Sequence, residues 1–317
     1  MGTIKINDAV VYFSVGEEIY LRQTLVSLLT LTLNRVNSFD VLVFTNNKNF
    51  FLENLPNNSL RLKFIGVDNT EVKQMKGDIN FIHRVKIEVI LKAFDLGYEK
   101  ILYLDSDTLI TKELYELFCK IDTRNSFMHL KEFSFNDQNL DSYNPTFDFK
   151  KTISANKFMN PLDHSIVPNN FTSSNAGVIG LHKSHINLIQ SVLKLTDEIF
   201  PLTNHHATEQ FMFSYILQKH TDLNYCEDYV YHYWYHVKKQ IVDIMAIKYL
   251  KNHNSTLNLS EILVELSTHK LIAQDQIYQL YYTKNKIKGL YETIKYTFKK
   301  SIDKKFIKNC LYLLFKA

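Results

Sequence analysis

The chain has 317 residues, of which 45% are hydrophobic and 22% are charged, as in soluble globular proteins. No run approaches the ~18 apolar residues of a membrane-spanning helix, and the three cysteines form no CxxC pair, so neither a disulfide framework nor a zinc site is indicated. The first residues contain neither a basic segment nor an apolar signal core, so we expect a cytoplasmic protein. The net charge of +4 hides a basic tail, since residues 284–317 contain ten lysines and only two acidic residues.

The first part of the chain is predicted to alternate strands with helices. Apolar runs indicate the strands, and apolar residues at helical spacing indicate the helices, the second of which Gly97 is placed to end. Several strands are apolar on both faces, which indicates a mainly parallel sheet with helices on both sides, an α/β fold. In chain order the expected elements are strand 9–14, helix 17–33, strand 40–45, strand 61–67, helix 81–96 and a strand that begins at residue 100.

The second part is predicted to return to this pattern after an irregular segment. Residues 131–170 are polar and too long for a passive connector, so they are either an acceptor-binding loop or lid, or a variable insertion. The elements expected around them are a helix at 112–119, a strand at 126–130, a loop and strand at 171–181, helices at 183–199 and 206–219, a strand and loop at 225–239, and helical structure from 241 onward.

Two aspartates one residue apart follow the apolar run at 101–104. Because ligands bind beyond the carboxyl ends of the strands in such sheets, Asp105 and Asp107 are candidate site residues. Where a strand breaks into a turn, both carboxylates can point at one place, and hard oxygen ligands suit Mg²⁺ or Mn²⁺ together with substrate phosphates. An ordinary polar turn is the alternative, since Asp and Ser are common turn residues.

Several further motifs occur in one order along the chain. They are a basic residue near a helix start, the pair of aspartates, an Asn-Ala-Gly loop, a Glu-Gln pair at a helix start, and a histidine followed six residues later by a lysine. In that order they are Arg84, Asp105-Ser106-Asp107, Asn175-Ala176-Gly177, Glu209-Gln210, and His232 with Lys238. This order resembles glycosyltransferases of the Rossmann-like GT-A fold, and most closely glycosyltransferase family 8, over about residues 8–240.

The resemblance implies a metal site and a division of the chain. Asp105, Asp107 and His232 would bind Mn²⁺ (or Mg²⁺), which bridges the diphosphate of a nucleotide-sugar, usually a UDP-sugar. His236 is a rival to His232, because the glycine and the Lys-Pro-Trp sequence common in the family are absent here. A GT-A domain would span residues 1–240, and a helical, lysine-rich region would span 241–317.

The resemblance also implies which residues contact the donor. Arg84 would face the donor phosphates or sugar, whereas Lys86, two positions further along the helix, would point elsewhere and is the weaker candidate. Lys238 would supply positive charge for the leaving diphosphate, and Gly177 would let the backbone approach the ligand closely. The other expected donor contacts are Ser14, Thr45, Ser106, Asn175 and Ala176.

Glu209 and Gln210 are the expected catalytic residues. The family has Asp at the first position, and the longer carboxylate of Glu209 could alter which sugar epimer or acceptor fits; a first-turn acid stabilised by the helix dipole is the alternative. The resemblance implies transfer with retention of anomeric configuration. Glu209 could act as a covalent nucleophile, or the acceptor could attack on the face that the diphosphate leaves, and the second route is favoured.

From residue 287 onward, apolar residues recur near helical spacing while lysines occupy the other faces. Such a helix can lie in a membrane interface, where each lysine near anionic lipid contributes on the order of 1 kcal/mol. We therefore expect a peripheral position on the cytoplasmic membrane face, with a helix packed on the body as the alternative. Nucleic acid is not an expected partner, because no base-reading module accompanies the charge.

The resemblance implies a metal-dependent glycosyltransferase that uses a nucleotide-sugar donor. With the basic tail, it implies a glycan or lipid-linked saccharide acceptor, such as a growing bacterial-type surface glycan. Residues Asp105 to Thr108 also fit the DxDxT nucleophile motif of haloacid-dehalogenase-like phosphatases. That motif usually begins the chain, however, and no later paired-acid motif is visible. A second alternative, supported only by Glu209, is a non-catalytic glycan- or lipid-binding protein on the same scaffold.

Overall fold

The structure of the protein is a computed structural model. It describes residues 7–33, 38–56, 60–136 and 145–251. The described chain divides into two compact units, of which the smaller contains Tyr235–Ile241 and the larger contains the remaining described residues, with all the strands. Among the helices of these ranges, none is long and apolar enough to cross a membrane.

Seven strands form the central sheet, in the order β10-β6-β9-β4-β1-β2-β3. Strand β9 is antiparallel to both of its neighbours, β4 and β6, and the other neighbouring pairs are parallel. Two further pairs, β5 with β11 and β7 with β8, are antiparallel. The strands are β1 (Asp8–Ser14), β2 (Asp40–Thr45), β3 (Leu62–Gly66), β4 (Lys100–Leu104), β5 (Thr108–Ile110), β6 (Asn125–Met128), β7 (Lys131–Ser134), β8 (Thr172–Ser174), β9 (Val178–His182), β10 (Asp222–Tyr225) and β11 (Val230–His232).

Helices cover both faces of this sheet, and the alternation of side chains along each strand explains why. On β1, Ala9 and Val11 enter one core, which also holds side chains of α4, α7 and α8, while Val10 and Tyr12 enter a second core shared with α1, α2 and α5. The predicted α/β class with a mainly parallel sheet is confirmed. The helices are α1 (Glu18–Leu33), α2 (Lys48–Asn54), α3 (Asn69–Lys76), α4 (Arg84–Asp95), α5 (Tyr115–Lys120), α6 (Pro145–Asn156), α7 (Ile186–Thr203), α8 (Thr208–His220) and α9 (His236–Lys251).

Local signals set the ends of several elements. Gly97 follows α4 with φ +92°, a conformation that favours glycine, which confirms the stop predicted there. Helix α3 begins at a capping box in which the Asp68 side chain accepts from the Glu71 amide, and the Glu71 carboxylate accepts from the Asp68 amide. Helix α2 begins after Asn47, whose side chain accepts from the Phe50 amide. Neither α2 nor α3 was predicted.

The segment 131–170 is more ordered than the sequence pattern predicted. Strand β7 occupies its beginning and pairs with β8, and α6 occupies its middle. Helix α6 places Phe149 and Ile153, four residues apart, in the first core, so two apolar anchors suffice to fix a helix in polar surroundings. Residues 137–144 lie outside the described ranges.

Helix α9 crosses the division predicted between residues 240 and 241. Residues 241–251 of the predicted C-terminal region 241–317 belong to this helix, whereas the rest of that region, including the lysine-rich helix expected from residue 287, lies outside the described residues. Both the division and the membrane-binding helix therefore stay predictions.

Candidate active site

The two-stranded pair of β5 and β11 brings the predicted metal ligands together. Strand β11 lies antiparallel to β5 in a register that pairs His232 with Thr108. The amide of Tyr233 donates to the carbonyl of Asp107 at 3.0 Å, so the backbone itself holds the histidine strand against the loop that carries the aspartates. Residues more than a hundred positions apart in sequence thus become neighbours at the carboxyl end of β4.

Asp105, Asp107 and His232 form a compact group at this edge. His232 Nε2 lies 3.3 Å from Asp107 Oδ2 and 4.0 Å from Asp105 Oδ2, and one ligand atom from each of the three side chains lies within 4.8 Å of the others. Two carboxylates and an imidazole are a donor set that fits a divalent cation such as Mn²⁺. His232 therefore lies beside the aspartates, as predicted; the side chain of its rival His236 is outside what the structure describes.

The hydrogen bonds of Asn175 fix the protonation pattern of His232. Asn175 Oδ1 accepts from the Gly177 amide at 2.9 Å, which identifies this atom as the oxygen, and it also lies 2.8 Å from His232 Nδ1. An oxygen without hydrogens can only accept, so His232 Nδ1 carries the proton. The lone pair of Nε2 is then left facing the two aspartates, as a metal ligand requires.

Gly177 occupies a position where no larger residue fits. A Cβ atom at residue 177 would lie 2.1 Å from His232 Nδ1, well inside contact distance. The carbonyl of Gly177 accepts from the Asp105 amide at 2.8 Å, so the same residue touches both the histidine and the aspartate loop. The close approach predicted for Gly177 is thus made to the histidine of the site.

Lys86 is buried at the centre of the site, contrary to the expectation that it points elsewhere. Its Nζ donates to the Ala176 carbonyl at 2.8 Å and to Asp105 Oδ2 at 3.2 Å, and it lies 3.5 Å from Glu209 Oε1. Burial lowers the pKa of Lys86, but attraction to Asp105 and then Glu209 outweighs it and holds the pKa above its ordinary value. The ammonium is therefore a fixed positive charge.

Arg84, by contrast, holds helices together. Its guanidinium donates to Asp197 at 2.7 Å, to Glu88 at 2.7 Å and to the Met75 carbonyl at 2.6 Å, which ties α4 to α7 and to the end of α3. Of these two basic residues, Lys86 is therefore the one that lies beside Asp105 and Glu209, and which of them contacts a donor stays a prediction. The long side chain of Lys86 starts from a buried position on α4 and reaches the end of β4. Its Nζ lies 5.5 Å from the centroid of the Tyr103 ring.

The two residues that begin α8 contact different parts of the site. Glu209 is 3% exposed, and its Oε2 has no hydrogen-bond partner among the described residues. Gln210 Oε1 accepts from the Ala176 amide at 3.2 Å, and its Nε2 donates to Glu132 at 2.8 Å. Glu132, on β7, was not singled out in the sequence, because no spacing signal marked a strand in that polar segment.

The other predicted donor contacts have separate positions in the fold. Ser14 and Thr45 are paired neighbours at the carboxyl ends of β1 and β2. Ser106 Oγ donates weakly to Gln23 Oε1 at 3.4 Å. Lys238 belongs to the smaller compact unit, where its Nζ lies 5.6 Å from the ring centroid of Tyr235. Its contact with a donor stays a prediction.

A polar stripe on α1 supports the aspartate loop, and sequence reasoning missed it. Ser27 Oγ lies 2.9 Å from both Tyr12 Oη and Thr108 Oγ1, and the Thr108 hydroxyl donates to the Asp105 carbonyl at 2.9 Å. Three residues further along α1, Thr30 Oγ1 accepts from the amide of β5 residue Ile110 at 2.9 Å. A hydroxyl at every turn of a buried helix face is the signal that could have found this support.

His129 is a second buried histidine behind the site. Its Nε2 lies 2.9 Å from the Val230 carbonyl and therefore carries a proton, and its ring packs edge-on to that of His232 with centroids 5.6 Å apart. Burial, and secondarily electrostatic repulsion from the nearby His232, lowers the pKa of His129 to about 4. A neutral ring here adds no positive charge beside the metal ligands.

Comparison with known proteins leaves the activity open. No family model matches the sequence, and no curated protein matches it either. Among solved structures, the chain is similar to the galactosyltransferase LgtC in complex with donor and acceptor sugar analogs, at 15% identity and a TM-score of 0.43 over 64% of this chain and 69% of that one. It is also similar to an active-site mutant of LgtC, at 15% identity and a TM-score of 0.45 over 69% and 72% of the two chains.

The third similar structure is mouse xyloside xylosyltransferase 1 in its apo form, at 12% identity and a TM-score of 0.44 over 69% of this chain and 85% of that one. All three are glycosyltransferases by name, the class that the motifs in the sequence predicted. At this identity and TM-score the similarity carries no functional argument, and the function has to be inferred from the residues of the site.

Proposed function

We propose that this protein is a metal-dependent glycosyltransferase that moves a sugar from a nucleotide-sugar, a UDP-sugar in the first instance, to a glycan or glycolipid acceptor with retention of configuration. The observation that carries the proposal is the meeting of Asp105, Asp107 and His232 with the buried pair of Lys86 and Glu209. Three carboxylates there face one ammonium. A divalent cation would balance the excess negative charge, since buried like charges are costly without compensation.

Each side chain has a distinct task in this proposal. When bound, a Mn²⁺ or Mg²⁺ ion supplies Lewis-acid charge that stabilises the departing diphosphate. Lys86 places a fixed positive charge beside Asp105 and Glu209, where a donor would bring phosphate and sugar oxygens. Glu209 offers a buried acceptor oxygen for a sugar hydroxyl, and the amides of Asn175 and Gln210, which are held by hydrogen bonds to neighbouring groups, keep the residues around it in place.

The retaining step is proposed as same-face substitution. The acceptor oxygen forms its bond to the anomeric carbon while the bond from that carbon to the diphosphate oxygen breaks, and the acceptor proton passes to the diphosphate. The Glu209 carboxylate, 3.5 Å from the Lys86 ammonium, would lie beside the anomeric centre without leaving its ion pair. The position of Glu209 also allows the double-displacement route, in which it would attack the anomeric carbon itself.

A thermal-shift experiment tests the proposal. UDP with Mn²⁺ should raise the melting temperature of the wild-type protein, and the shift should disappear in Asp107→Asn, because that variant loses a charged metal ligand. Asp228→Asn removes an exposed carboxylate from the turn before β11 and is the matched control. Nucleotide-sugars that shift the wild type are then incubated with candidate acceptors, and mass spectrometry identifies the product.

The two alternatives give different results in the same assays. A phosphatase would hydrolyse p-nitrophenyl phosphate and lose that activity in Asp105→Asn. A binding protein without turnover would show the thermal shift but leave every nucleotide-sugar intact with and without chelator. Absence of a shift with any nucleotide-sugar contradicts the proposed function.

We also propose a cytoplasmic protein at the membrane surface, on the basis of its lysine-rich tail.

A further inference from the structure

The carboxylate of Glu132 connects the residues around the metal group. It accepts from Asn175 Nδ2 at 3.0 Å, from Gln210 Nε2 at 2.8 Å and from Ser173 Oγ at 3.1 Å. A carboxylate has no hydrogen to donate, so in each of these contacts the partner must be the donor. Glu132 therefore determines which end of two carboxamides faces it.

The orientation of each amide determines which of its atoms faces the neighbours on its other side. With its NH₂ group turned to Glu132, Asn175 presents its oxygen to the Gly177 amide and to His232 Nδ1. Gln210 likewise presents its oxygen to the Ala176 amide. One carboxylate on β7 thus reaches the histidine on β11 through a single intervening side chain.

We propose that Glu132 is a positioning residue that selects the tautomer of His232 and thereby sets the affinity of the Asp105, Asp107 and His232 group for a divalent cation. The carboxylate holds the Asn175 amide in one orientation, the amide oxygen takes the Nδ1 proton of His232, and Nε2 is left with its lone pair toward the aspartates. Hydrogen-bonded partners of this kind typically change metal affinity by roughly 10–100-fold. This inference deepens the proposed function in its metal-binding part, whereas the tautomer can be measured without any metal.

A neutral residue of the same shape cannot replace the carboxylate. Glutamine at position 132 has one accepting oxygen, and its NH₂ group would face the NH₂ group of either Asn175 or Gln210. Rotation of the Asn175 amide would relieve that clash. It would also place NH₂ against the Gly177 amide and His232 Nδ1, which favours the His232 tautomer with its proton on Nε2.

The first test is nuclear magnetic resonance of the full-length, metal-free protein with ¹⁵N-labelled histidine, at a pH well above the ordinary pKa of histidine. We expect wild-type His232, assigned by its absence in His232→Gln, to carry its proton on Nδ1. In Glu132→Gln we expect the proton on Nε2 or a mixture of tautomers, and in Glu132→Asp, which keeps the charge, a return toward Nδ1. Glu198→Gln on the exposed face of α7 is the matched control and should match the wild type.

The second test measures Mn²⁺ affinity by electron paramagnetic resonance. Glu132→Gln should bind Mn²⁺ roughly 10–100-fold more weakly than the wild type and Glu198→Gln. If Glu132→Gln does not fold, Glu132→Ala takes its place, because water can fill the space without a misplaced amide. Weaker Mn²⁺ binding and a mixture of tautomers are expected there too, because the carboxylate that holds the Asn175 amide is gone.

The outcomes separate this inference from the proposed function. A wild-type His232 with its proton on Nε2 overturns the inference, and so does an unchanged tautomer in the Glu132 variants, or a Mn²⁺ affinity that stays unchanged in them. If the tautomer changes as expected but the wild type binds no Mn²⁺, the role of Glu132 in His232 orientation is supported and the metal-dependent function fails. If Mn²⁺ binds and the tautomer does not depend on Glu132, the function survives and the inference fails.

Discussion

At the scale of single residues, the site depends on the buried ammonium of Lys86, which lies between two carboxylates. Lys86 lies within 3.5 Å of both Asp105 and Glu209, and it is 6% exposed. The sequence predicted that Lys86, two positions after Arg84 on the helix, points away from the donor. The side chain instead follows the ring of Tyr103 to the strand end, because α4 packs its buried face on the sheet and a lysine is long enough to reach.

Removal of the Lys86 ammonium should lower the stability of the fold as well as the activity. We expect Lys86→Met to lower the free energy of unfolding in metal-free buffer by about 3–5 kcal/mol, since it leaves buried carboxylates uncompensated. In the Glu209→Gln background the same change should cost less, because one of the two acids is already neutral. Denaturant unfolding of the four proteins measures both effects.

Lys92→Met on the same helix is the control. Lys92 pairs with Glu71 at 3.5 Å on the surface, with both side chains near 40% exposed, and such pairs contribute only about 0–1 kcal/mol. Equal losses for Lys86→Met and Lys92→Met would show that burial of the ion pair does not stabilise the fold.

At the scale of elements, sequence patterns predicted what local chemistry dictates and missed what tertiary contacts impose. The apolar runs of β1, β2 and β4 and the glycine after α4 were sufficient to predict those elements. Strand β7 has no apolar alternation strong enough to be recognised, since its residues are held by pairing with β8 and by the contacts of Glu132. The candidate metal ligands followed from motif order, whereas Glu132 could be found only from contacts across the fold.

The junction between α7 and α8 predicts how stability depends on pH. His205 is buried there against Phe149 and Phe211, and burial, with a smaller contribution from His206, lowers its pKa to about 4. The unfolded chain then binds a proton at higher pH than the folded one. Stability from this group is complete above about pH 6.5 and falls as the pH drops toward about 4, by about 3 kcal/mol in all.

The variant His205→Asn should flatten this dependence. We expect the free energy of unfolding to fall less between pH 6.5 and pH 4 in His205→Asn than in the wild type, as measured by urea unfolding at each pH. His164→Asn is the control, because His164 is exposed and its φ of +55° is one that asparagine tolerates. A pH dependence identical in all three proteins would mean that the buried imidazole does not titrate in this range.

At the scale of the whole molecule, charge is distributed unevenly along the chain. Ten of the 37 Lys and Arg residues fall in residues 284–317, outside the described ranges. A basic segment attached to a transferase would bring the site to acceptors carried on lipid. This membrane attachment is a prediction of the sequence alone.

Vesicle sedimentation with the full chain tests the membrane prediction. The protein should sediment with vesicles containing phosphatidylserine, remain in solution with phosphatidylcholine alone, and be released as salt rises, because each lysine contributes on the order of 1 kcal/mol at an anionic surface. Substitution of Lys299, Lys300, Lys304 and Lys305 by Gln should abolish sedimentation. The same four charges removed at exposed Lys48, Lys73, Lys112 and Lys151 should leave it intact; equal loss in both sets would assign binding to net charge rather than to the tail.

The pairing of β5 with β11 has a consequence for unfolding. The candidate ligands Asp107 and His232 enclose the stretch of chain that contains β6 to β10 and helices α5 to α8. An ion held by both residues in the folded protein would join the two ends of this stretch, so that any unfolding that separates Asp107 from His232 would also have to release the ion. Metal loading would then raise resistance to proteases in helices that never touch the ion, and it would do so in step with free ion concentration.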